Sequence, residues 1–113
     1  MVAVLAASTL KGDKVKNPTG EDLGKIEELM IDLDSGRVAY AVVSFGEGFM
    51  HAGKLFAIPW ASLAVDQKDK QIILNVTREM LESAEGFDKD HWPDMADAAF
   101  LNRTYTHFGI KPW

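Results

Sequence analysis

Two apolar-rich runs separated by a strong turn signal constrain the fold of this chain more than any other feature. Both runs lie within residues 23–46, and the tripeptide Asp34-Ser35-Gly36 separates them. Runs of this length on either side of a short turn are typical of a β-hairpin. We expect the Asp34 side chain to accept a hydrogen bond from the backbone two residues further on, and Gly36 to adopt a positive φ. These two residues form the predicted structural turn.

The first arm of the predicted hairpin has the period-two pattern of a strand with one face towards a core. Leu29, Ile31 and Leu33 recur at every second position, so we expect these three side chains on the core side. Ile26 is out of step with that series. One extra, unpaired residue produces a break of this kind, so the sequence predicts a β-bulge beside the two glutamates at 27–28.

The second arm, residues 38–45, is apolar at both alternating positions, which predicts a strand covered on both faces. Further short strands are predicted at 9–16, 54–58, 63–66 and 71–76. Six short strands joined mostly by turns favour closure, because closure removes edges that would seek partners. We therefore predict a mainly β fold, a small closed barrel of about six antiparallel strands.

The pattern changes to a helical one after residue 76. Thr77 is expected to cap a short helix at 78–84, with Gly86 as its stop, and Asp94 is expected to cap a last helix. The predicted apolar stripe of that last helix consists of Met95, Ala98, Leu101, Tyr105 and Phe108. We therefore divide the chain into a barrel-like domain at 8–76 and a helical tail at 77–113 that packs on the barrel or on a second subunit.

Composition narrows the function classes. The 113 residues include no cysteine, which excludes disulfides, zinc–thiolate sites and thiol nucleophiles. A net charge of -5 and a pI near 5.1 leave no overall basic field for nucleic-acid phosphates. The apolar runs are far shorter than the roughly 20 residues of a membrane helix, and the N-terminal run lacks the basic flank of a signal peptide. We expect a soluble, cytoplasmic protein without membrane insertion.

Two groups in the sequence superficially match ligand-binding loops. The loop at 46–53 contains several glycines, as a phosphate loop does. It does not match one, because no helical pattern follows it and it has no Gly-Lys-Ser/Thr sequence. Counted from Asp32, the positions at which a calcium loop needs glycine and glutamate hold Arg37 and Val43. Neither loop therefore predicts a site.

The histidines offer no specific chemistry either. The densest candidate for a hard cation is the acidic group around His91, made up of Asp88, Asp90, Asp94 and Asp97. Carboxylates this close in sequence more commonly cap helices and face water, and a bound metal is the weaker interpretation. His51 and His107 have no nucleophile beside them in the sequence. We predict no catalytic, cofactor-binding or metal-binding residues, and no cofactor.

Two segments carry a resemblance to a known family: GKIEELMIDLDSGRVAYAVVSFG and KLFAIPWASL. They resemble the PRC-barrel family, named for the cytoplasmic domain of the photosynthetic reaction-centre H subunit and found also as the C-terminal half of a bacterial ribosome-maturation factor. The resemblance covers about residues 8–76, and the tail GFDKDHWPDMADAAF is similar to those of stand-alone bacterial members. It implies a barrel of about six strands and no shared catalytic residues.

The leading hypothesis is a non-catalytic protein-interaction or assembly domain that forms a homodimer and binds another protein. It depends on large apolar side chains outside the predicted strands, because interface energy concentrates in a few buried anchors. The predicted contact residues are Phe49, Met50, Trp92 and Trp113.

Two alternatives stay open. One is a ribosome- or RNA-processing-associated factor, although the acidic balance of the chain disfavours direct RNA contact. Its local basic residues are Lys11, Lys14, Lys16 and Lys25. The other is a photosynthetic reaction-centre-associated domain, or a barrel that holds a small ligand or metal ion.

Overall fold

The computed structural model describes residues 5–45, 54–66, 68–94 and 96–111, and the fold of this part of the chain is mainly β. Its strands are β1 (Lys14–Lys16), β2 (Asp22–Asp32), β3 (Arg37–Phe45), β4 (Leu55–Pro59), β5 (Leu63–Asp66), β6 (Gln71–Leu74) and β7 (Gly86–Phe87). Its helices are α1 (Ala7–Leu10), α2 (Arg78–Glu82) and α3 (Ala98–His107). A 3₁₀ turn at Trp60–Ser62 joins β4 to β5.

The predicted central hairpin and its bulge are confirmed. Strands β2 and β3 pair antiparallel, and the register moves from Ile26 opposite Val43 to Glu28 opposite Val42. Glu27 is therefore the extra residue, and beyond it Leu29 faces the interior core as Ile26 does. The parity break in the sequence has its physical cause in this one unpaired position.

The turn of this hairpin has the expected backbone but a different hydrogen-bond acceptor. Gly36 has φ of +74°, as predicted. The Ser35 backbone N–H and hydroxyl both donate to Oδ2 of Asp32, at 3.2 and 2.6 Å. The prediction that Asp34 holds the turn is wrong, because no hydrogen bond among the described residues uses its carboxylate. Asp32 stands at the end of β2, from which its carboxylate reaches the N–H three residues on.

The strands form one sheet in the order β5-β6-β1-β2-β3-β4-β7. All neighbours are antiparallel except β1 and β6, which pair parallel. In the part of the chain that is described, no ladder joins the two ends of this order, so the structure shows a seven-stranded sheet where the sequence predicted a closed, all-antiparallel barrel of six. The added strand, β7, begins at Gly86, which we predicted to be a helix stop.

The sheet is nevertheless strongly curled. In a flat sheet β4 and β5 would lie five strand spacings apart, about 24 Å. The connection from Pro59 to Leu63 contains only the 3₁₀ turn, and four residue steps span at most about 14 Å. The sheet must therefore bend until its fifth strand returns towards its fourth.

Two apolar cores lie on opposite faces of β3, which confirms that this strand is covered on both sides. The interior core includes Ala41 and Val43, and it gathers residues from β1, β2, β4 and β6 as well as Leu81 of α2. The outer core lies between the sheet and α3, and it consists of Ala39, Tyr40, Val42, Leu55, Ala57, Phe87, Phe100 and Tyr105. Helix α3 is thus held against the outer face of the sheet.

The prediction that Leu29, Ile31 and Leu33 share a core face is wrong for two of the three. Leu29 packs against the interior core, whereas Ile31 is 47% exposed and Leu33 is 90% exposed. A second register shift lies between Met30 and Ile31. Beyond it the side chains still alternate between the two faces of the hairpin, but no core among the described residues covers either face. Leu33 lies past the last paired residue of β2, so no sheet neighbour covers it.

The helices begin and end differently from the prediction, except at Thr77. The Thr77 hydroxyl accepts from the Met80 N–H at 3.1 Å and caps α2, as predicted. Gly86 does not end that helix. It pairs with Phe56 of β4, and a Cβ at this position would lie 2.8 Å from the Phe56 ring. Only glycine therefore lets β7 approach β4 so closely.

Helix α3 begins three residues later than predicted. Asp97, and not Asp94, is its N-cap, and its carboxylate accepts from the Ala99 N–H at 3.0 Å. Of the predicted stripe, Tyr105 and Phe108 are buried, Leu101 is half-buried and Ala98 is exposed, while Met95 lies outside the described residues.

The first predicted strand is also shorter than expected. Residues 9 and 10 belong to α1, and β1 covers only Lys14–Lys16. In the described ranges, no helix has the length and apolarity needed to cross a membrane.

Candidate interaction surface

One of the four predicted contact residues, Trp92, can be placed in the structure. Its side chain is 41% exposed, and its ring lies against that of Phe87 with the centroids 5.3 Å apart. Phe87 itself is buried in the outer core, so Trp92 is fixed on one side and open on the other. Phe49, Met50 and Trp113 lie outside the described residues.

The tip of the central hairpin is a second exposed apolar surface, and our sequence interpretation missed it. Ile31 and Leu33 project there because the strand pairing ends at Asp32 and Arg37. Their position directly before the Asp34-Ser35-Gly36 turn was the available signal, since side chains at a turn have no neighbouring strand to cover them.

A cleft of about 200 Å³ opens beside this tip, between the end of β2, the start of β3 and the segment leading into α3. We call it the hairpin–helix cleft. Its lining residues include Met30, Ile31, Asp32, Ala39, Ala96 and Leu101. The walls are thus mainly apolar, with one carboxylate among them.

Two tyrosines fix α3 behind the cleft. The Tyr105 hydroxyl donates to the backbone carbonyl of Ala39 at 2.7 Å, and the Tyr105 and Tyr40 rings meet edge to face at a centroid distance of 5.6 Å. Burial, and secondarily the neighbouring Tyr105, raises the pKa of Tyr40 to about 12. Burial, and secondarily the charge of Asp32, raises the pKa of Tyr105 to about 12. Both hydroxyls therefore stay protonated near neutral pH.

The structure places a serine beside His107, which the sequence could not show. The Ser83 hydroxyl lies 3.5 Å from Nε2 of His107, and the same Nε2 lies 2.9 Å from the Met80 carbonyl oxygen. A carbonyl only accepts, so Nε2 must carry the hydrogen in that contact and cannot take the serine proton. The geometry is that of a contact between α2 and α3, not of a nucleophile and its base.

Two of the four carboxylates near His91 accept backbone hydrogen bonds, and a third, that of Asp88, lies 4.0 Å from Nζ of Lys54. Asp94 accepts from the Ala96 N–H at 3.0 Å, and Asp97 caps α3. In the described ranges, no group of three or more histidine, aspartate or glutamate side chains is placed to hold a metal ion.

The basic residues of the RNA hypothesis are partly neutralised. Lys14 and Lys25 are opposite each other in the β1–β2 ladder. Lys25 lies 3.8 Å from Glu27, and Lys11 lies 3.4 Å from Glu28.

Comparison with known proteins supports one assignment. A family model described as PRC-barrel domain matches residues 3–81, well over half of the chain. A search of curated proteins finds no match. The matched part ends within α2, so β7 and α3, which build the outer core with β3 and β4, follow it in the sequence.

Proposed function

The chain belongs to the PRC-barrel family, and from that premise we propose that it is a non-catalytic domain that binds another protein or takes part in an assembly. The supporting observation is the apolar hairpin tip, where Leu33 is 90% exposed and Ile31 is 47% exposed. Leaving a large aliphatic side chain in water forgoes about 1.5 to 3 kcal/mol of burial free energy. A partner that covers both side chains recovers this energy, and interfaces concentrate their affinity in such anchors.

Affinity capture from a cell lysate tests this proposal. The double variant Ile31→Ser, Leu33→Ser removes the apolar tip. Leu5→Ser is the matched control, because Leu5 is also exposed, at 43%, but lies beside Val65 and Lys70 and not at the hairpin. We expect the double variant to lose the captured protein and the control to keep it. Both variants should melt within a few degrees of the wild type, since exposed substitutions change stability by about 0.5 kcal/mol or less. Equal capture by both variants would contradict the proposal.

Self-association is a separate part of the proposal. The apolarity of β3 on both faces does not require a second subunit, because α3 of the same chain covers the outer face. The remaining support is Trp92, with one side of its ring open. We expect sedimentation equilibrium to show a homodimer at micromolar concentration and Trp92→Ala to shift it towards monomer. A wild-type monomer at that concentration would refute this part.

Closure of the sheet into a barrel is a further structural proposal. It is supported by the curl that brings β5 back towards β4 through the 3₁₀ turn. In an open sheet, alternate β5 amides face water and exchange rapidly, whereas in a closed barrel all of them are bonded. Hydrogen exchange of the β5 amides measured by NMR distinguishes the two forms.

A cytoplasmic location accords with the absence of cysteine from the sequence.

A ribosome- or RNA-associated role is the second candidate, favoured by the facing pair Lys14 and Lys25. Such a contact releases counterions, so RNA affinity should fall steeply between low and moderate salt. Lys14→Glu should then abolish binding to ribosomal RNA. Binding that is insensitive to salt would exclude this candidate.

A further inference from the structure

The hairpin–helix cleft has the size of one large apolar side chain. Its volume is about 200 Å³, and a cavity of roughly 150 Å³ lined by aliphatic residues is known to hold a benzene molecule. Met30, Ile31 and Leu101 supply apolar walls, and Ala96 is an exposed residue at its margin. A leucine, methionine or phenylalanine side chain therefore fits the space.

The surroundings of the cleft are acidic. Asp32 lines it directly, and Asp34 follows in the turn of the same hairpin. Asp94 and Asp97 lie within two positions of Ala96, which lines the opposite side of the cleft. No lysine or arginine lines the cleft among the described residues. Arg37 is opposite Asp32 in the β2–β3 ladder and offsets one of these four carboxylates, and the N-terminus of α3 contributes only about half a positive charge, so the balance of these groups is still negative.

This charge selects the occupant. A twofold dimer that paired two such clefts would bring the same carboxylates together, and like charges across an interface disfavour that pairing. Nucleic-acid phosphates and anionic lipid headgroups are repelled for the same reason. A protein segment with lysine or arginine beside an apolar side chain meets both requirements, since its apolar group fills the cleft and its cations face the rim.

We propose that the hairpin–helix cleft binds one large apolar side chain of a partner protein, carried on a segment rich in lysine and arginine. This inference rests on the proposed function as a protein-binding domain and names the chemistry of the partner. The hairpin tip, including Leu33, lies beside the cleft and extends the contact along the bound segment.

A displayed library of random peptides, selected on the full-length protein, is the probe. We expect the enriched peptides to contain leucine, methionine or phenylalanine next to lysine or arginine. Synthetic versions should bind in a fluorescence anisotropy assay, with an affinity that falls as salt is raised. Enrichment without this composition, or no enrichment at all, would overturn the inference.

Three variants locate the binding site. Ala96→Phe fills the cleft from its margin and should weaken the selected peptides by about tenfold or more. Ala99→Phe is the matched control, because Ala99 is also an exposed alanine, three positions further on in the first turn of α3, and does not line the cleft; this variant should bind as the wild type does. Asp34→Lys reverses one rim charge at a side chain without hydrogen bonds to described residues, and should weaken binding about threefold.

The outcomes also separate this inference from the function on which it rests. If Ala96→Phe binds the peptides as tightly as the wild type, the cleft assignment is wrong, while capture through the hairpin tip can still hold. If no selected peptide binds the protein and Ala96→Phe converts a dimer to a monomer, a second copy of the chain occupies the cleft and the inference is overturned.

Discussion

Tyr105 of α3 donates its phenolic hydrogen to the backbone carbonyl of Ala39 across 2.7 Å, although 66 positions separate the two residues in the sequence. Ala39 has no partner in the register of either neighbouring strand, because the second irregularity of the β2–β3 ladder skips it and the β3–β4 ladder ends at Tyr40. Its carbonyl is thus available to the helix. The bond fixes α3 to the outer face of the sheet at the point where the central hairpin begins to project.

Removing that hydroxyl should destabilise the protein, whereas removing its neighbour should not. Tyr105→Phe leaves a buried carbonyl without its donor, and we expect a loss of about 1 to 2 kcal/mol. The Tyr40 hydroxyl is buried and has no hydrogen-bond partner in the described part of the chain, so Tyr40→Phe should be neutral or stabilising by up to about 1 kcal/mol. Urea unfolding measures both. An equal decrease in the free energy of unfolding for the two variants would contradict this prediction, because it would indicate that both hydroxyls make stabilising hydrogen bonds.

The same tyrosines predict a loss of stability in alkaline solution. The pKa of each is raised from 10.0 to about 12 in the folded protein, so between these values the unfolded chain releases protons that the folded chain retains. The stability that the two protonated hydroxyls contribute is therefore fully present below pH 10 and is lost as the pH rises towards 12. Urea midpoints across this range check the sign, and Tyr40→Phe should reduce the fall. A flat profile would contradict the raised pKa values.

At the hairpin turn, two aspartates should behave differently. Asp32→Ala removes the acceptor for the Ser35 N–H and hydroxyl, and should cost about 1 kcal/mol. Asp34→Ala removes an exposed carboxylate that makes no hydrogen bond to the described residues, and should change stability by about 0.5 kcal/mol or less. Thermal melts decide the order. A larger effect at Asp34 would restore it as the turn residue predicted from the sequence.

Gly36 tests the backbone of that turn separately from its side chains. Its φ is +74°, and a Cβ added there would meet nothing within 4 Å, so any loss reports backbone strain and not a clash. Gly36→Val should destabilise by about 1 to 2 kcal/mol. Gly36→Asn is the control, since asparagine tolerates the left-handed region, and it should lose less. Identical melting temperatures for the two variants would argue against strain.

The sequence predicted the features that depend on neighbouring residues. The bulge at Glu27 followed from Ile26 falling out of step, and the cap at Thr77 followed from a hydroxyl ahead of a helical pattern. Both are local, because a period of two or a cap contact involves residues only a few positions apart.

The features that the sequence did not predict depend on contacts between distant segments. The pairing of β1 with β6 joins residues near 14 to residues near 71, and the exposure of Ile31 depends on a register shift at Ala39, whose carbonyl α3 binds. The hairpin–helix cleft combines three segments of the chain. Of the candidate surface, Trp92 was predicted from its place outside the strands, and the exposure of Leu33 could have been anticipated from its position beside the turn.

The parallel ladder between β1 and β6 sets the expected order of folding. The β2–β3, β3–β4 and β5–β6 ladders join segments that are neighbours in the sequence, whereas this one joins Lys14–Lys16 to a strand that begins at Gln71. Closing so long a loop costs entropy before any contact offsets it, and such pairings are typically slow. The hairpins should therefore form first and the β1–β6 register last. Until it forms, β6 keeps an unpaired edge, so the rate of this single step determines how long the newly made chain is open to aggregation.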